Sequence, residues 1–270
     1  MIFYIGIGLI ALSLDQKRIM VMCLLSSGAI AFYLKMASNP DLIIAQSQTD
    51  ASIKVSLIDL NNCKDDQSFP LKTIKSNQPQ IISFQHYNEA WNGVLQSQLY
   101  LSHPYIYKWH PTDSAGLAIY SSIPFDSSYT LNFNDIPNAV IDFTFENQEF
   151  HLVSSYFPYS LNEQVRNKPD LLASMAAFIR GLEGHILNLG HFNEYYWSRE
   201  MIEYRKLAKL NNSRRQIDWK QDKVPRDHIF HSSNLKCISL EEIFTTQKSH
   251  IGLQAHYIIN RSNSKSLTMN

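Results

Sequence analysis

The chain has 270 residues, enough for one large domain and an appendage, and its 24 Lys and Arg residues balance 24 Asp and Glu residues. This neutral charge argues against nucleic acid as a partner, because proteins that bind its phosphates carry a basic excess. The sequence has only nine glycines and no GxxxxGK[ST] or GxGxxG pattern, which excludes the common glycine-rich nucleotide-binding loops.

The first 37 residues are strongly apolar. Two apolar runs, 2–14 and 19–34, are separated by the polar residues 15–18. A membrane-spanning helix needs about 20 apolar residues, so each run is slightly short, but two in succession predict a transmembrane helical hairpin over 1–37. The alternatives are a cleaved signal peptide, which would carry its basic residues before the apolar run, and a hairpin buried in a soluble core. The number of transmembrane helices in the protein stays open.

Basic residues indicate which way this hairpin is oriented. Lys17 and Arg18 lie between the two apolar runs. Because Lys and Arg are enriched in cytoplasmic loops, they predict a cytoplasmic turn, and only Lys35 argues for the opposite orientation. The remainder of the chain is then expected to face the periplasm or the extracellular side, after a polar linker over 38–52.

Beyond the linker, short apolar strands alternate with amphipathic helices. Strands are predicted at 53–60, 80–84, 116–120, 139–146, 149–156, 185–189, 228–231, 238–244 and 254–259. Helices are predicted at 69–77, 89–101, 167–181 and 198–210. Asn147 and Gln148 predict a hairpin turn, and the polar residues 261–270 predict a disordered tail. The pattern predicts an α/β domain over 53–260, with two mixed sheets facing each other and helices outside them.

The cysteines and one basic cluster carry weaker signals. Cys63 and Cys237 are far apart and lack the CxxC or Cys/His spacing of a zinc site, so either a disulfide or two free thiols is open, and spacing favours free thiols. Arg214, Arg215 and Lys220 form a small basic cluster. A solvated loop is the expected setting for them, and contact with a phosphate is the alternative.

Five segments resemble, in chain order, motifs of the endonuclease/exonuclease/phosphatase superfamily. QPQIISFQH at 78–86 is similar to its PD-apolar-LQE strand, and AGLAIYSSIP at 115–124 to its GLAILSR-P strand. LNLGHFN at 187–193 is similar to its GDFN turn, RDHIF at 226–230 to IDHIF, and SHIGL at 249–253 to its closing DH-P-V motif. The resemblance implies a four-layer α/β sandwich over most of 53–260. The apolar N-terminus resembles a subgroup with transmembrane helices ahead of this domain.

The family's members are metal-dependent phosphodiesterases and phosphatases, and several of their site residues are replaced here. His86 stands where the family has a metal-binding Glu, and His191 stands where GDFN has its Asp. Ser249 replaces the Asp of the closing motif, and Tyr156 falls at the position of a His. The resemblance therefore implies a degenerate member of the family.

Other positions retain the family's residues. Asn193, Asp227 and His250 match, and the family uses the last two as an orienting Asp and a catalytic His. Asp59 falls, in a loose alignment, on the Asn of the first strand. We predict Asn193, Asp227 and His250 as a catalytic remnant. His228 is expected to pack beside a strand.

The cofactor expectation follows from ligand chemistry. Mg²⁺ prefers carboxylate, carbonyl and water over imidazole, so the family's Mg²⁺ is disfavoured. Asp59, His86 and His191, with His250 nearby, would instead suit Zn²⁺ or another transition ion. We therefore expect a membrane-anchored, catalytically degenerate binding or scaffold module, with a protein or a small phosphorylated ligand as its partner. The alternative is a metal-dependent phosphodiesterase or phosphatase with a His-rich metal site.

Overall fold

The computed structural model describes residues 2–39, 51–63, 68–109, 116–133, 136–157, 168–214, 226–245 and 249–259. The helices are α1 (Ile2–Ser13), α2 (Lys17–Ala37), α3 (Ser68–Asn77), α4 (Glu89–Leu99), α5 (Lys168–Arg180) and α6 (Arg199–Ala208), with a 3₁₀ turn at Leu60–Cys63. The predicted tail at 261–270 and most of the predicted linker at 38–52 lie outside the described residues.

Twelve strands form two six-stranded sheets in the described residues. The strands are β1 (Ser52–Asp59), β2 (Ile81–Tyr87), β3 (Tyr105–Trp109), β4 (Gly116–Ser121), β5 (Ser127–Phe133), β6 (Ile136–Phe145), β7 (Gln148–Tyr156), β8 (His185–His191), β9 (Leu210–Asn212), β10 (Asp227–Ser232), β11 (Leu235–Phe244) and β12 (His250–Ile259). The first sheet has the order β11-β12-β1-β2-β4-β3 and the second β5-β6-β7-β8-β10-β9. The pairs β1/β2 and β7/β8 are parallel and the others antiparallel, so both sheets are mixed, as predicted.

The core has three layers of apolar contact, because both faces of each sheet are covered. Alternate side chains such as Leu57 and Leu152 meet between the two sheets. Their chain neighbours point the other way, so Ile58 packs on the outer face with α3 and α4, and Val153 packs with α5 and α6. The result is the predicted four-layer sandwich.

Element ends explain most differences from the predicted boundaries. The predicted helix at 198–210 is shorter, because Lys209 adopts a left-handed conformation with φ 55° and Leu210 pairs with Ser232 in the second sheet. The hairpin turn is Glu146-Asn147, with φ of 52° and 59°, rather than Asn147-Gln148. Strands β3, β5 and β9 were not predicted.

The cysteines are buried, and no disulfide joins Cys63 to Cys237, as the spacing favoured. Cys63 packs under the first sheet with α3 and α4, whereas Cys237 lies between the two sheets. The two thiols therefore belong to different layers of the core.

The N-terminal segment forms two helices joined by a short turn. Helix α2 has 21 residues and is long and apolar enough to cross a membrane, whereas α1 has 12 residues, about 18 Å of helix, and is too short to cross alone. Lys17 and Arg18 lie in the first turn of α2 and not in a separate turn, which corrects the predicted boundary. Only 11% of the most apolar stretch of α2 is buried, which does not fit the alternative of a hairpin in a soluble core.

Candidate functional site

Six predicted or aligned site residues gather at one end of the sandwich. Parallel strands place their carboxyl ends at the same edge, and antiparallel neighbours contribute their amino ends there. The end of β1 supplies Asp59, β2 His86, the end of β7 Tyr156, the end of β8 His191, the start of β10 Asp227 and the start of β12 His250. Residues from both sheets therefore face one another across the open end of the central core.

Close backbone approach at this end depends on two glycines. A Cβ on Gly190, which has φ of 158°, would lie 1.9 Å from the carbonyl oxygen of Ser155 on β7. A Cβ on Gly252 would lie 2.0 Å from the carbonyl oxygen of Leu57 on β1. No side chain fits at either position, so these glycines allow the strands that carry His191 and His250 to pack tightly.

His86 is held by partners from both sheets. It occupies an irregularity of the β2–β4 pairing and has φ of 54°, a conformation that costs about 1–2 kcal/mol for a non-glycine residue. Its Nδ1 donates to Asp59 Oδ1 at 2.6 Å, and its Nε2 pairs with the Tyr156 hydroxyl, also at 2.6 Å. Asp59 also accepts from the backbone N–H of Asn61 at 2.9 Å. Both ring nitrogens of His86 are therefore engaged.

Asp227 is shared by two histidines. His191 Nδ1 donates to its Oδ1 at 2.7 Å, and His250 Nε2 donates to its Oδ2 at 2.9 Å. Burial alone would raise the pKa of Asp227, but these two hydrogen bonds outweigh burial and hold the pKa well below the usual range of a carboxyl group. Asp227 is therefore a carboxylate at neutral pH.

His250 is a cation in this setting. Burial lowers its pKa, but the hydrogen bond to Asp227 and the nearby Glu242 carboxylate raise it overall to about 9. The second ring nitrogen, Nδ1, lies 3.5 Å from Glu242 Oε2, an ion-pair distance. Both N–H groups of the imidazolium therefore face carboxylates.

The ionic network continues to Arg214, which the sequence placed in a solvated loop. Its side chain is only 4% exposed, and Nη1 donates to Glu242 Oε1. The guanidinium also lies over the Tyr196 ring, 6.0 Å from its centroid. Arg214 is buried because it neutralises Glu242, which corrects the expectation. Arg215 and Lys220 lie outside the described residues.

The third retained residue, Asn193, lies beside the network and has an arginine as its partner. Asn193 is buried with φ of 54°, and Arg226 Nη1 donates to its Oδ1. His228, next along β10, is also buried and donates from Nε2 to the Glu194 carbonyl at 2.7 Å. Burial lowers the pKa of His228 to about 3, so it is a neutral packing residue, as expected. Ser249, where the family has Asp, is exposed.

The side chains at this end of the sandwich do not fit Mg²⁺ as ligands. Imidazoles stand where carboxylates would be, and Asp59 and Asp227 already accept from them. Among the described residues, no group of three or more His, Cys, Asp or Glu side chains is arranged to hold a metal ion. Zinc binding by Asp59, His86 and His191 therefore stays a prediction, and it would require a hydrogen-bond partner such as Tyr156 to move.

The chain resembles known proteins in structure but not in overall sequence. No protein-family model matches the sequence, and a search of curated proteins finds no match. An endonuclease/exonuclease/phosphatase from Bacteroides vulgatus matches with a TM-score of 0.64 and 13% identity, over 77% of this chain and 99% of that one. The chain has the endonuclease/exonuclease/phosphatase fold.

Two further solved structures support the same architecture. A humanized D. rerio TDP2 matches with a TM-score of 0.62 and 13% identity, over 76% of this chain and 98% of that one. ANGEL2, a 2′,3′-cyclic phosphatase in complex with adenosine-2′,3′-vanadate, matches with a TM-score of 0.61 and 13% identity, over 80% of this chain and 98% of that one. At this identity the likeness establishes the fold, whereas activity must be argued from the residues.

Sequence reasoning missed Glu242 and Arg226 as residues of the site, and it expected a solvated setting for Arg214. Side chains alternate between the two faces of a strand. Because Glu241 in β11 is exposed, its neighbour Glu242 could have been expected on the opposite, less exposed face. Arg226 directly precedes Asp227 in the RDHIF segment and was not given a role. Charged residues near a loop are ordinarily solvated, which is why the pairing of Arg214 was not anticipated.

Proposed function

We propose that this chain is a membrane-anchored, extracytoplasmic module whose endonuclease/exonuclease/phosphatase fold has lost hydrolysis and binds a phosphorylated ligand at the former catalytic end. One observation supports this most directly. His86 and His191 stand at the family's carboxylate positions, and their hydrogen bonds engage Asp59 and Asp227. The carboxylates that remain thus accept hydrogen bonds from imidazole groups of the protein and do not form a site for a hard cation.

The state of His250 supports the same conclusion. A general base must accept a proton near neutral pH and reach the attacking water. His250 has a pKa raised to about 9, and its two ring nitrogens face Asp227 and Glu242. It is therefore already protonated at pH 7, and it serves better as a fixed positive charge than as a base.

An anionic ligand fits two hydrogen-bond donors at this end of the sandwich. The Arg226 guanidinium directly precedes Asp227 in the chain, and the buried Asn193 amide, whose oxygen Arg226 contacts, lies beside it. Arginine binds phosphate oxygens well because its donors form a planar fork. Arg226 is therefore the residue that we assign to phosphate contact.

Phosphate binding can be tested on the full chain in lipid nanodiscs. We expect inorganic phosphate to raise Tm of the wild type, since a ligand that binds only the folded state stabilises it. Arg226→Gln should abolish the shift, whereas Arg199→Gln should retain it, because Arg199 is 82% exposed and pairs along its own helix with Glu203. An equal shift in both variants would contradict the assignment of Arg226.

Loss of hydrolysis needs its own experiment. The full chain should not cleave a generic phosphodiester with Mg²⁺, Mn²⁺, Ca²⁺ or Zn²⁺ above the rate of a His250→Ala variant. The triple variant His86→Glu, His191→Asp, Ser249→Asp should take up Mg²⁺ in calorimetry, since it restores oxygen ligands. Metal-dependent cleavage by the wild type that His250→Ala removes would refute the proposed loss of activity.

Anchoring and topology rest on α2 and its basic residues. The helix is long and apolar enough to span a bilayer, and Lys17 and Arg18 at its start favour the cytoplasm for that end under the positive-inside rule. A Leu101→Cys variant tests this, because Leu101 is 92% exposed and the native cysteines are buried. A membrane-impermeant maleimide should label it in intact cells. Labelling only after lysis would reverse the topology.

A second candidate function is a hydrolase with a His-rich transition-metal site. The observation that favours it is that Tyr156 separates His86 and His191, with ring centroids 4.6 Å and 6.0 Å away. Zinc that displaced the Tyr156 hydroxyl would find imidazoles on both sides and Asp59 nearby. Zinc calorimetry on the full chain tests this, with His86→Ala, His191→Ala as control. Equal uptake by both proteins would end the idea.

A further inference from the structure

The outer end of α2 is bonded directly to the folded domain. The Ala37 carbonyl accepts from Arg205 Nη2 and from Asn212 Nδ2, both at 3.0 Å. Carbonyls at a helix C-terminus have no hydrogen-bond partner within the helix. Arg205 and Asn212 of the domain supply the missing donors to the Ala37 carbonyl. Arg205 is only 7% exposed, and burial lowers its pKa to about 10. The second sheet and α6 are therefore held close to the point where α2 would leave the bilayer.

The loop after β8 touches the same end of α2. The Tyr33 hydroxyl donates to the Trp197 carbonyl at 2.7 Å. Within this loop, Tyr195 and Trp197 stack with centroids 5.1 Å apart and ring planes 4° apart. Tyr195 remains 37% exposed, and the neighbouring α2 residue Phe32 is 68% exposed. An aromatic patch thus continues from the membrane helix onto the domain.

This aromatic loop also reaches the candidate site. The Arg226 guanidinium lies 5.2 Å from the centroid of the Tyr195 ring and donates to Asn193 Oδ1. The arginine assigned to phosphate therefore contacts the same short segment, residues 193–197, that carries the aromatic pair beside the membrane helix.

We infer that the loop 193–197 is a second membrane contact, which lies in the lipid headgroup layer beside Tyr33 and turns the Asn193–Arg226 end of the site toward the lipid surface. The inference rests on the proposed anchoring by α2. Trp and Tyr are enriched at this depth because one side of the ring is apolar and the other carries a polar group. The lipid bilayer is the occupant, because the patch is continuous with the exposed apolar surface of α2.

A fluorescent label can report the depth of the loop. The full chain with Tyr195→Cys carries the label in nanodiscs containing a lipid with a nitroxide on its headgroup. The matched control is Tyr129→Cys on β5, because Tyr129 is 39% exposed and β5 is the opposite edge of the second sheet from β9, roughly 24 Å away at the usual strand spacing. We expect several-fold stronger quenching at position 195. Equal quenching at the two positions would overturn the inference.

A further variant and a flotation assay separate the possible failures. Tyr33→Phe removes the hydrogen bond to the Trp197 carbonyl without changing the length of α2, and it should weaken quenching at position 195. Unchanged quenching in that variant would contradict the role given to Tyr33. If the wild-type chain does not float with lipid vesicles, anchoring and inference both fail. If it floats and both labels are quenched equally, only the loop inference fails.

Discussion

Replacing Asp227 with Asn should lower the pKa of His250. In the wild type, burial lowers this pKa, but Asp227 and Glu242 raise it overall to about 9, against an ordinary value of 6.5. The neutral amide would leave burial and Glu242 in place. An opposite charge at hydrogen-bond distance moves a pKa by about 1–3 units. We therefore expect the midpoint to fall by about two units, equivalent to ~2.7 kcal/mol.

Nuclear magnetic resonance of the full chain with ¹³C-labelled histidine measures this midpoint. The His250 signal is identified by its absence in His250→Gln. Asp142→Asn is the control, because Asp142 makes a similar bond of 2.7 Å with His151 on the β6–β7 hairpin, and it should leave the His250 midpoint unchanged. A wild-type midpoint at or below the ordinary value would refute the reasoning, and so would an unchanged midpoint in Asp227→Asn.

Three further results are expected from thermal unfolding. The pKa of His250 is raised above its unfolded value, so its contribution to stability is complete below pH 6.5 and is lost as pH rises through about 9. Tm of the wild type should therefore fall between these pH values, and a constant Tm would contradict the expectation. Gly190→Ala should lower the free energy of unfolding by on the order of 3 kcal/mol or more. Gly93→Ala in α4, where a Cβ meets nothing within 4 Å, should raise it by a few tenths to about 1 kcal/mol. Similar effects of the two changes would show that Gly190 is not tightly packed. Tyr204→Phe should cost about 1–3 kcal/mol, because it leaves the buried Asn188 Oδ1 without its bond of 2.8 Å, and an unchanged Tm would show that the bond adds nothing.

The central strands of the fold could be predicted because burial on both faces produces short apolar runs. Strand β2, with the sequence IISFQHY, and β8 are of this kind. Strand β5 was missed because it is an edge strand whose side chains are mostly exposed or half-buried, and β9 has only three residues. Edge and short strands depend on their neighbours for pairing, and a local pattern does not show those neighbours.

The site was predictable where a motif carried it. The resemblance placed Asp227 and His250 together, and the structure joins them by a hydrogen bond of 2.9 Å. The ion pair between Arg214 and Glu242 was missed because the two residues come from a chain segment after β9 and from β11. Neither residue lies in a motif, and a charge is expected at the surface unless its partner is known.

The contact between α2 and the domain is accompanied by one pattern in the sequence of α6. Buried residues of α6 recur at Met201, Tyr204, Arg205 and Ala208, the spacing of a helix face that packs against the core. An arginine on that face needs an acceptor, because a buried guanidinium without hydrogen bonds is costly. We made no prediction for Arg205; this spacing could have shown that Arg205 needs a partner, but not that the partner is the Ala37 carbonyl.

The hydrogen bonds of the site imply that a magnesium site of oxygen ligands cannot be built into this chain one residue at a time. His86→Glu alone would place a second carboxylate beside Asp59, and two carboxylates in one site raise the pKa of one of them. His191→Asp alone would do the same beside Asp227, which also loses a donor. Only a bound dication relieves both repulsions, and it binds only when enough oxygen ligands are present. We therefore expect the triple variant His86→Glu, His191→Asp, Ser249→Asp to take up more Mg²⁺ than the three single variants together. Calorimetry that shows only additive Mg²⁺ uptake would disprove this coupling.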